Sequence, residues 1–319
     1  LFVRHLIRLE TELMLFDKVV IVGIGLIGSS LARNLKKHHL ARKVVAFDKN
    51  PAYLAEASEL GIVDEVFDEP GAAAADADLI VLATPVGAFG ALTAEMVPFM
   101  KRGAILTDVG SVKKFALQEI EKHIPEDSGI VVVGGHPVAG TEKSGPGAGF
   151  EELFKDRWCI LTPSDKSTDD AVEKVAMMWR SAEMRIDTMM PEHHDKVMAA
   201  VSHLPHLIAY SIVGTVADLE GYEKKEIIKY SASGFRDFTR IAGSDPTMWR
   251  DILLNNKGTI LELIQRFVED LIALERNIRW DEGDRLFELF SRTQKIRKEV
   301  IDAKQDQPEH EKRILSELN

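Results

Sequence analysis

The chain has a single cysteine, Cys159, in 319 residues. A lone thiol excludes an intrachain disulfide framework and a zinc site built from cysteines alone, and it fits a reducing compartment. Basic residues are also scarce: 40 Lys and Arg stand against 51 Asp and Glu, a net charge of −11. That balance argues against a general electrostatic grip on nucleic acid. An anionic small molecule must then be held by a local cluster of Arg, Lys or His working against the overall field. Long apolar runs are missing too. No segment reaches the ~18 consecutive apolar residues of a membrane-spanning helix. Residues 1–13 carry scattered charges and no small-residue cleavage pattern, so a secretory signal is not expected there. Met14 leads directly into the first apolar run and reads as the natural start, with residues 1–13 an upstream extension. What remains is an ordinary globular composition, 45% hydrophobic and 29% charged, in a chain long enough for two domains.

The front of the chain alternates apolar runs at 18–22, 43–48, 78–84, 104–108, 130–134 and 158–163 with helical patterns. One helix, over 51–60, has Asn50 to cap it and Gly61 to stop it. Continuous apolar strands separated by helices predict a parallel sheet covered on both faces. Near Thr188 the strands give out. Helical patterns fill 191–219, 224–230, 235–242, 246–276 and 281–304. The expected domains are therefore 14–188 and 189–304, with a polar tail at 305–319. The 246–276 stretch is apolar over more than the ~100° stripe of a surface helix. It should be buried on more than one side, most simply against a second copy of the chain.

Gly23-Ile24-Gly25-Leu26-Ile27-Gly28 matches the dinucleotide fingerprint G-x-G-x-x-G, with a strand before it and a helix after it. Gly23 allows the tight turn, Gly25 lets the backbone approach a pyrophosphate, and Gly28 lets helix and strand pack closely. The helix N-terminus offers free N–H groups to phosphates. Asp48 ends the second strand twenty residues past Gly28. A carboxylate there accepts hydrogen bonds from ribose hydroxyls and repels a 2′-phosphate, so NAD is expected over NADP, although Lys49 next door works slightly the other way. Thr84 and Pro85 close a strand where a loop can pass over the nicotinamide half; for Pro85, a strand end punctuated by proline is an equal reading.

His136, in Gly134-Gly135-His136-Pro137, stands at the carboxyl end of a strand, the edge where open α/β sheets bind ligands. Histidine titrates near neutrality and can take a proton from a hydroxyl whose carbon loses hydride. The run GGHPVAGTEKSG at 134–145 resembles the signature of the prephenate dehydrogenase family, which includes arogenate dehydrogenases. So do DVGSVK at 108–113, SHLPH at 202–206 and GFRDFTRIAGSDPTMWR at 234–250.

The resemblance implies a Rossmann-type doubly wound, mostly parallel sheet followed by an all-α dimerisation domain, in a cytoplasmic homodimer. It implies NAD-dependent oxidative decarboxylation of prephenate to 4-hydroxyphenylpyruvate and CO₂ in tyrosine biosynthesis. By resemblance, His136 accepts the ring hydroxyl proton and Ser111 hydrogen-bonds between nicotinamide and that hydroxyl. Arg240 holds the ring carboxylate, since guanidinium matches carboxylate geometry. Arg236, four residues earlier, serves the pyruvyl end where many members have Lys. His206 meets the pyruvyl side chain and could sense a tyrosine-like inhibitor. Trp249 walls the pocket, and Glu142 ties domains or subunits together near the site. His203 is expected to be structural. His203 and His206 are three apart, with His193, His194 and Asp195 near in sequence, yet no open-site zinc spacing appears and no metal is expected. Two other classes compete: a 3-hydroxy acid dehydrogenase, for which Lys196 is the one candidate lysine, and a non-catalytic NAD-binding sensor. No chorismate mutase is expected before Met14, nor a regulatory domain after Lys304, so tyrosine feedback, if present, would act at the active site.

Overall fold

The computed structural model describes residues 14–141, 143–218 and 233–302. The front half alternates strand and helix as β1 (Phe16–Val22), α1 (Leu26–Lys37), β2 (Ala41–Phe47), α2 (Pro51–Glu59), β3 (Glu65–Phe67), α3 (Pro70–Ala74), β4 (Leu79–Leu82), α4 (Phe89–Met96), β5 (Ile105–Asp108) and α5 (Lys114–Glu121). It continues with β6 (Val131–Pro137), β7 (Trp158–Pro163), α6 (Asp169–Ser181) and β8 (Arg185–Thr188). One eight-stranded sheet results, in the order β3-β2-β1-β4-β5-β6-β7-β8. Every neighbouring pair is parallel except β6 with β7.

The near-continuous apolar strands follow from burial on both faces. In β1, Val19 and Ile21 enter one core with Leu31, Leu35 and Trp179, while Val20 and Val22 enter the other with Phe89, Leu106 and Ile120. The short strands β3 and β8 escape the sequence pattern because their residues are half-exposed or exposed edge positions with no apolar run to mark them. Asn50 caps α2 as expected, accepting from the Ala52 N–H at 3.1 Å, and Gly61 beyond its end takes a positive φ of 65°.

The helical half departs from expectation in two places. The run expected over 191–219 is α7 (Pro191–Met198), a wide π turn (Ala199–His203) and α8 (Leu204–Ala217). Pro205, which has no N–H to donate, follows closely on the π turn, so the irregularity of this continuous helical run lies at Ala199–His203, just before the proline. The single helix expected over 246–276 is two, α10 (Pro246–Asn255) and α11 (Lys257–Arg279), interrupted at Asn256. The Asn256 side chain donates to the Asp195 carbonyl at 2.8 Å, which fixes the break. Between α8 and α10 stand α9 (Ser233–Thr239) and a 3₁₀ turn (Arg240–Gly243), and α12 (Gly283–Asp302) ends the described chain. The helix expected over 224–230 lies outside the described residues.

By length and composition alone, Pro191–Ala217 is apolar enough to cross a membrane, with mean hydropathy 1.4. Its buried His194, Asp195 and His203 belong instead to a polar network within the protein. The chain divides into two compact units between Thr259 and Ile260. The expected boundary near Thr188 falls inside the first, where Trp249 and Ile252 of α10 share a core with β4, β5 and α4. In the second unit Leu271, Ile272, Trp280, Phe287 and Phe290 are exposed on the single chain.

Candidate active site

Parallel pairing brings the carboxyl ends of β1, β4, β5 and β6 to one edge of the sheet. The glycine turn, Thr84–Pro85, Ser111 and His136 therefore lie along that edge. The three fingerprint glycines have distinct physical reasons. Gly23 has φ +99°, and a Cβ on it would come within 2.7 Å of the Ala83 carbonyl. A Cβ on Gly28 would collide with the Gly23 carbonyl. On Gly25 it would meet nothing within 4 Å. Packing does not require a glycine there; the open space fits a ligand's approach. Beyond Gly25, α1 begins with no side-chain cap and no acidic residue in its first turn, so Leu26 and Ile27 open a helix end suited to phosphate oxygens. The Asp48 carboxylate accepts from the Ile24 N–H and the Asn50 N–H, both at 2.9 Å, which locks it beside the turn with lone pairs to spare for ribose hydroxyls. Thr84 is half-buried against Gly23, and Pro85 is exposed. These residues fit a dinucleotide.

At β6 the His136 ring is buried, with its Nδ1 2.8 Å from His194 Nε2. His194 Nδ1 in turn lies 2.9 Å from Asp195 Oδ1. Burial, then the neighbouring His194 and Lys113, push His136 well below the usual histidine range. Burial likewise lowers His194, against the pull of Asp195. Asp195 also receives the Lys113 and Lys114 N–H groups at 2.7 and 3.0 Å, tying α7 to the start of α5.

Beneath the edge, Lys113 and Asp108 form a fully buried ion pair, and Lys113 Nζ donates to the Gly135 carbonyl at 2.6 Å. Asp108 accepts from the Gly110 and Gly135 N–H groups at 2.8 and 3.2 Å. This cluster holds the loop of half-buried Ser111 against the strand that carries His136. Gly134 and Gly135 lie against the same cluster and its neighbours. A Cβ on Gly134 would strike the Thr162 hydroxyl, and one on Gly135 would come within 2.8 Å of the Asp108 carbonyl. The pair allows close packing inside the sheet.

The helical segments of the first unit supply the other expected residues. The His206 ring stacks on Trp249 at 3.7 Å between centroids, and its Nδ1 pairs with the Ser202 carbonyl at 2.9 Å. Burial lowers its pKa, and the Arg240 charge adds to that, so Arg240 and His206 share one locality. Trp249 is buried and its Nε1 has no hydrogen-bond partner. His203 is fully buried, edge-on to Trp249 with centroids 6.1 Å apart, and burial pushes its pKa down to about 4. The Arg236 side chain is 74% exposed and its ion partner is the adjacent Asp237. Glu142 lies outside the described residues. Lys196 is exposed while its helix neighbours His194 and Asp195 are buried. Among the described residues no three His, Cys, Asp or Glu side chains gather as a metal site. Cys159 is buried, and burial pushes its thiol far up, which leaves it unreactive.

Comparison with known proteins now adds to this geometry. The nucleotide-binding domain of prephenate dehydrogenase matches residues 31–188, and the prephenate dehydrogenase dimerization domain matches 190–292. The chain belongs to the prephenate dehydrogenase family. A cyclohexadienyl dehydrogenase of Zymomonas mobilis is 41% identical over 285 residues, 88% of this chain and 95% of the relative. A Bacillus subtilis prephenate dehydrogenase is 34% identical, covering 86% of this chain and 73% of that protein. The solved structure of an Aquifex aeolicus prephenate dehydrogenase with hydroxyphenyl propionate and NAD+ superposes with a TM-score of 0.81 at 34% identity. It covers 89% of this chain and 98% of its own. The sheet with its helical partner is thus the architecture of an oxidoreductase family with a nucleotide-binding and a dimerization domain.

Within this family framework, the groups that sequence reasoning passed over are His194 and Asp195, considered only as metal ligands, and the buried ion pair of Lys113 with Asp108. A signal existed for the second. A lysine five residues after an aspartate at a strand end, in a signature segment, hints at a paired charge. Nothing in sequence spacing joins His194 to His136, 58 residues away.

Proposed function

We propose that the protein catalyses NAD-dependent oxidation of prephenate, with loss of CO₂, to 4-hydroxyphenylpyruvate. The observation that carries this reading is His136: a buried imidazole at the strand-end edge whose Nδ1 is engaged, leaving Nε2 for a substrate hydroxyl. Its depressed pKa keeps it neutral near pH 7 and so able to accept a proton. The glycine turn, the N-terminus of α1, Asp48 and Thr84–Pro85 would hold NAD, which when bound supplies the hydride acceptor.

The chain's own work is to position and deprotonate. His136 Nε2 takes the ring hydroxyl proton as hydride leaves the same carbon, and the Ser111 hydroxyl orients that oxygen. Arg240 holds the ring carboxylate. The bond from ring to carboxylate then breaks and CO₂ leaves; the bond's electrons enter the ring and reach the former hydroxyl oxygen, which takes back the proton held on His136 Nε2, and aromaticity drives the step without a further acid or metal. His206, stacked on Trp249, faces the pyruvyl chain and is the place where tyrosine would compete as inhibitor. Arg236 is assigned to the pyruvyl end, and Glu142 to tying domains or subunits together near the site.

Support comes from the Aquifex aeolicus complex, since hydroxyphenyl propionate carries the phenol ring and carboxylate tail expected of such a product. The Synechocystis arogenate dehydrogenase structure, 27% identical with a TM-score of 0.71, makes arogenate the second substrate to test. Exposed Lys196 speaks against a 3-hydroxy acid dehydrogenase, and the histidine and arginine constellation against a mere NAD sensor. Two copies pairing through the dimerization domain would cover the exposed Leu271, Ile272, Phe287 and Phe290. A reducing, cytoplasmic setting suits the unpaired Cys159.

The test is reduced-nicotinamide absorbance with prephenate or arogenate and NAD or NADP. Prephenate with NAD should give the fastest turnover. No turnover with prephenate under any of these conditions would refute the reading.

A further inference from the structure

Asp195 is held ionised. Burial acts to raise its pKa, but hydrogen bonds from His194 and from the Lys113 and Lys114 N–H groups outweigh it and bring it below the usual carboxylate range. An ionised carboxylate only accepts, so the proton between Asp195 and His194 belongs to His194 Nδ1. A neutral His194 then presents a bare Nε2 to His136 Nδ1 at 2.8 Å. Two bare nitrogens at that distance would repel, so His136 carries its proton on Nδ1 and its lone pair on Nε2.

We propose that His194 and Asp195 are positioning residues that fix His136 in the Nδ1–H tautomer, making Nε2 the nitrogen that receives the substrate's hydroxyl proton. The assignment rests on the reading of His136 given above. The O–H bond of the substrate breaks, the N–H bond forms at Nε2, and the His136 Nδ1 proton stays on its ring. Asp195 remains a carboxylate and balances the positive charge for as long as His136 holds both protons. That balance has physical work to do, because the other groups facing the pair are mixed. Lys113, from the loop after β5, and His203, from the π turn, disfavour a charged His136, while Asp108 of β5 favours a charged His194. Cys159 of β7 is un-ionised. The same Asp195 carboxylate receives the N–H groups just beyond Ser111, so it also holds Ser111's loop in step with the base.

The test uses the full chain with ¹⁵N-labelled histidine and reads ring-nitrogen protonation by NMR at neutral pH, with no substrate needed. In the wild type, Nε2 of His136 should be the unprotonated nitrogen. In Asp195→Asn, whose amide can donate to His194 Nδ1, the two rings should reverse, and Nε2 should become protonated. Steady-state kinetics supply the second reading. His194→Leu should lower kcat by about 10²-fold or more while KM and NAD affinity change less than about threefold, in the range known for losing a tautomer-fixing partner. His194→Gln, which restores an acceptor for His136 Nδ1, should recover about tenfold of that loss. A purely packing role for His194 would instead favour Leu over Gln. A wild-type His136 protonated on Nε2, or a His194→Leu kcat within twofold of wild type, overturns the proposal. Should Asp195→Asn fail to fold, the wild-type spectrum and the His194 pair still decide. Should the wild type not oxidise prephenate, the function proposed above fails, and the spectrum alone decides the tautomer.

Discussion

The smallest scale at which cofactor handling can be separated from folding is a single methyl group. Gly25 and Gly28 belong to one motif, yet a Cβ on Gly25 meets open space while one on Gly28 strikes the Gly23 carbonyl. Gly25→Ala should therefore leave the unfolding free energy within about 0.5 kcal/mol of wild type, as expected of a substitution that disturbs no packing, while weakening NAD binding. Gly28→Ala should destabilise by about 1–3 kcal/mol, the usual cost of overpacking. Paired urea unfolding and NAD titration check both, and equal effects of the two substitutions would contradict the assignment. Arg240 is a different case. It is exposed and acts on His206, so water screens part of any ion pair it makes. Arg240→Ala should raise the prephenate KM by roughly 30-fold, about 2 kcal/mol, the low end for a charge that anchors a ligand carboxylate. An unchanged KM would remove Arg240 from substrate binding.

At the scale of elements, the buried Lys113–Asp108 pair joins the loop after β5 to β6. Removing one member of a buried pair costs about 3–5 kcal/mol. Lys113→Met should fall near the lower figure, since Asp108 keeps the Gly110 and Gly135 N–H groups. Denaturant unfolding measures it, and a loss under about 1 kcal/mol would mean the pair is not what secures the edge. The elements also show where sequence reasoning works. The strands buried on both faces, the glycine turn and the Asn50 cap are local patterns, and all are legible. The break at Asn256 is not, because the apolar spacing runs straight through it and the hydrogen bond that Asn256 donates there goes to the Asp195 carbonyl, 61 residues away. The π turn is hidden likewise. Pro205 is visible in the sequence, but the form of the irregularity just before it, a π turn at Ala199–His203, is not. His136 could be singled out from its strand-end place, but the Asp195–His194 relay behind it exists only once α7 lies against β6 and the start of α5.

Across the whole molecule, burial of neutral histidines links stability to pH. His203 has its pKa pushed down to about 4 by burial, against about 6.5 in an unfolded chain. Between those values the unfolded chain binds the proton that the native state refuses. Stability is therefore full above about pH 6.5 and is lost as pH falls toward 4. His136 and His194 shift in the same direction and steepen the slope. Melting temperature should fall over that window, and His203→Gln should make the decline shallower; parallel curves for the two proteins would show that His203 is not a source of the linkage. The account as a whole places one neutral imidazole at the sheet edge as the proton acceptor for hydride loss. Its most direct test is the turnover of prephenate with NAD by wild type and His136→Asn, with NAD affinity measured on both. Turnover should drop by about 10²–10⁴-fold with NAD affinity nearly unchanged. A variant that turns over prephenate as fast as wild type would contradict the account.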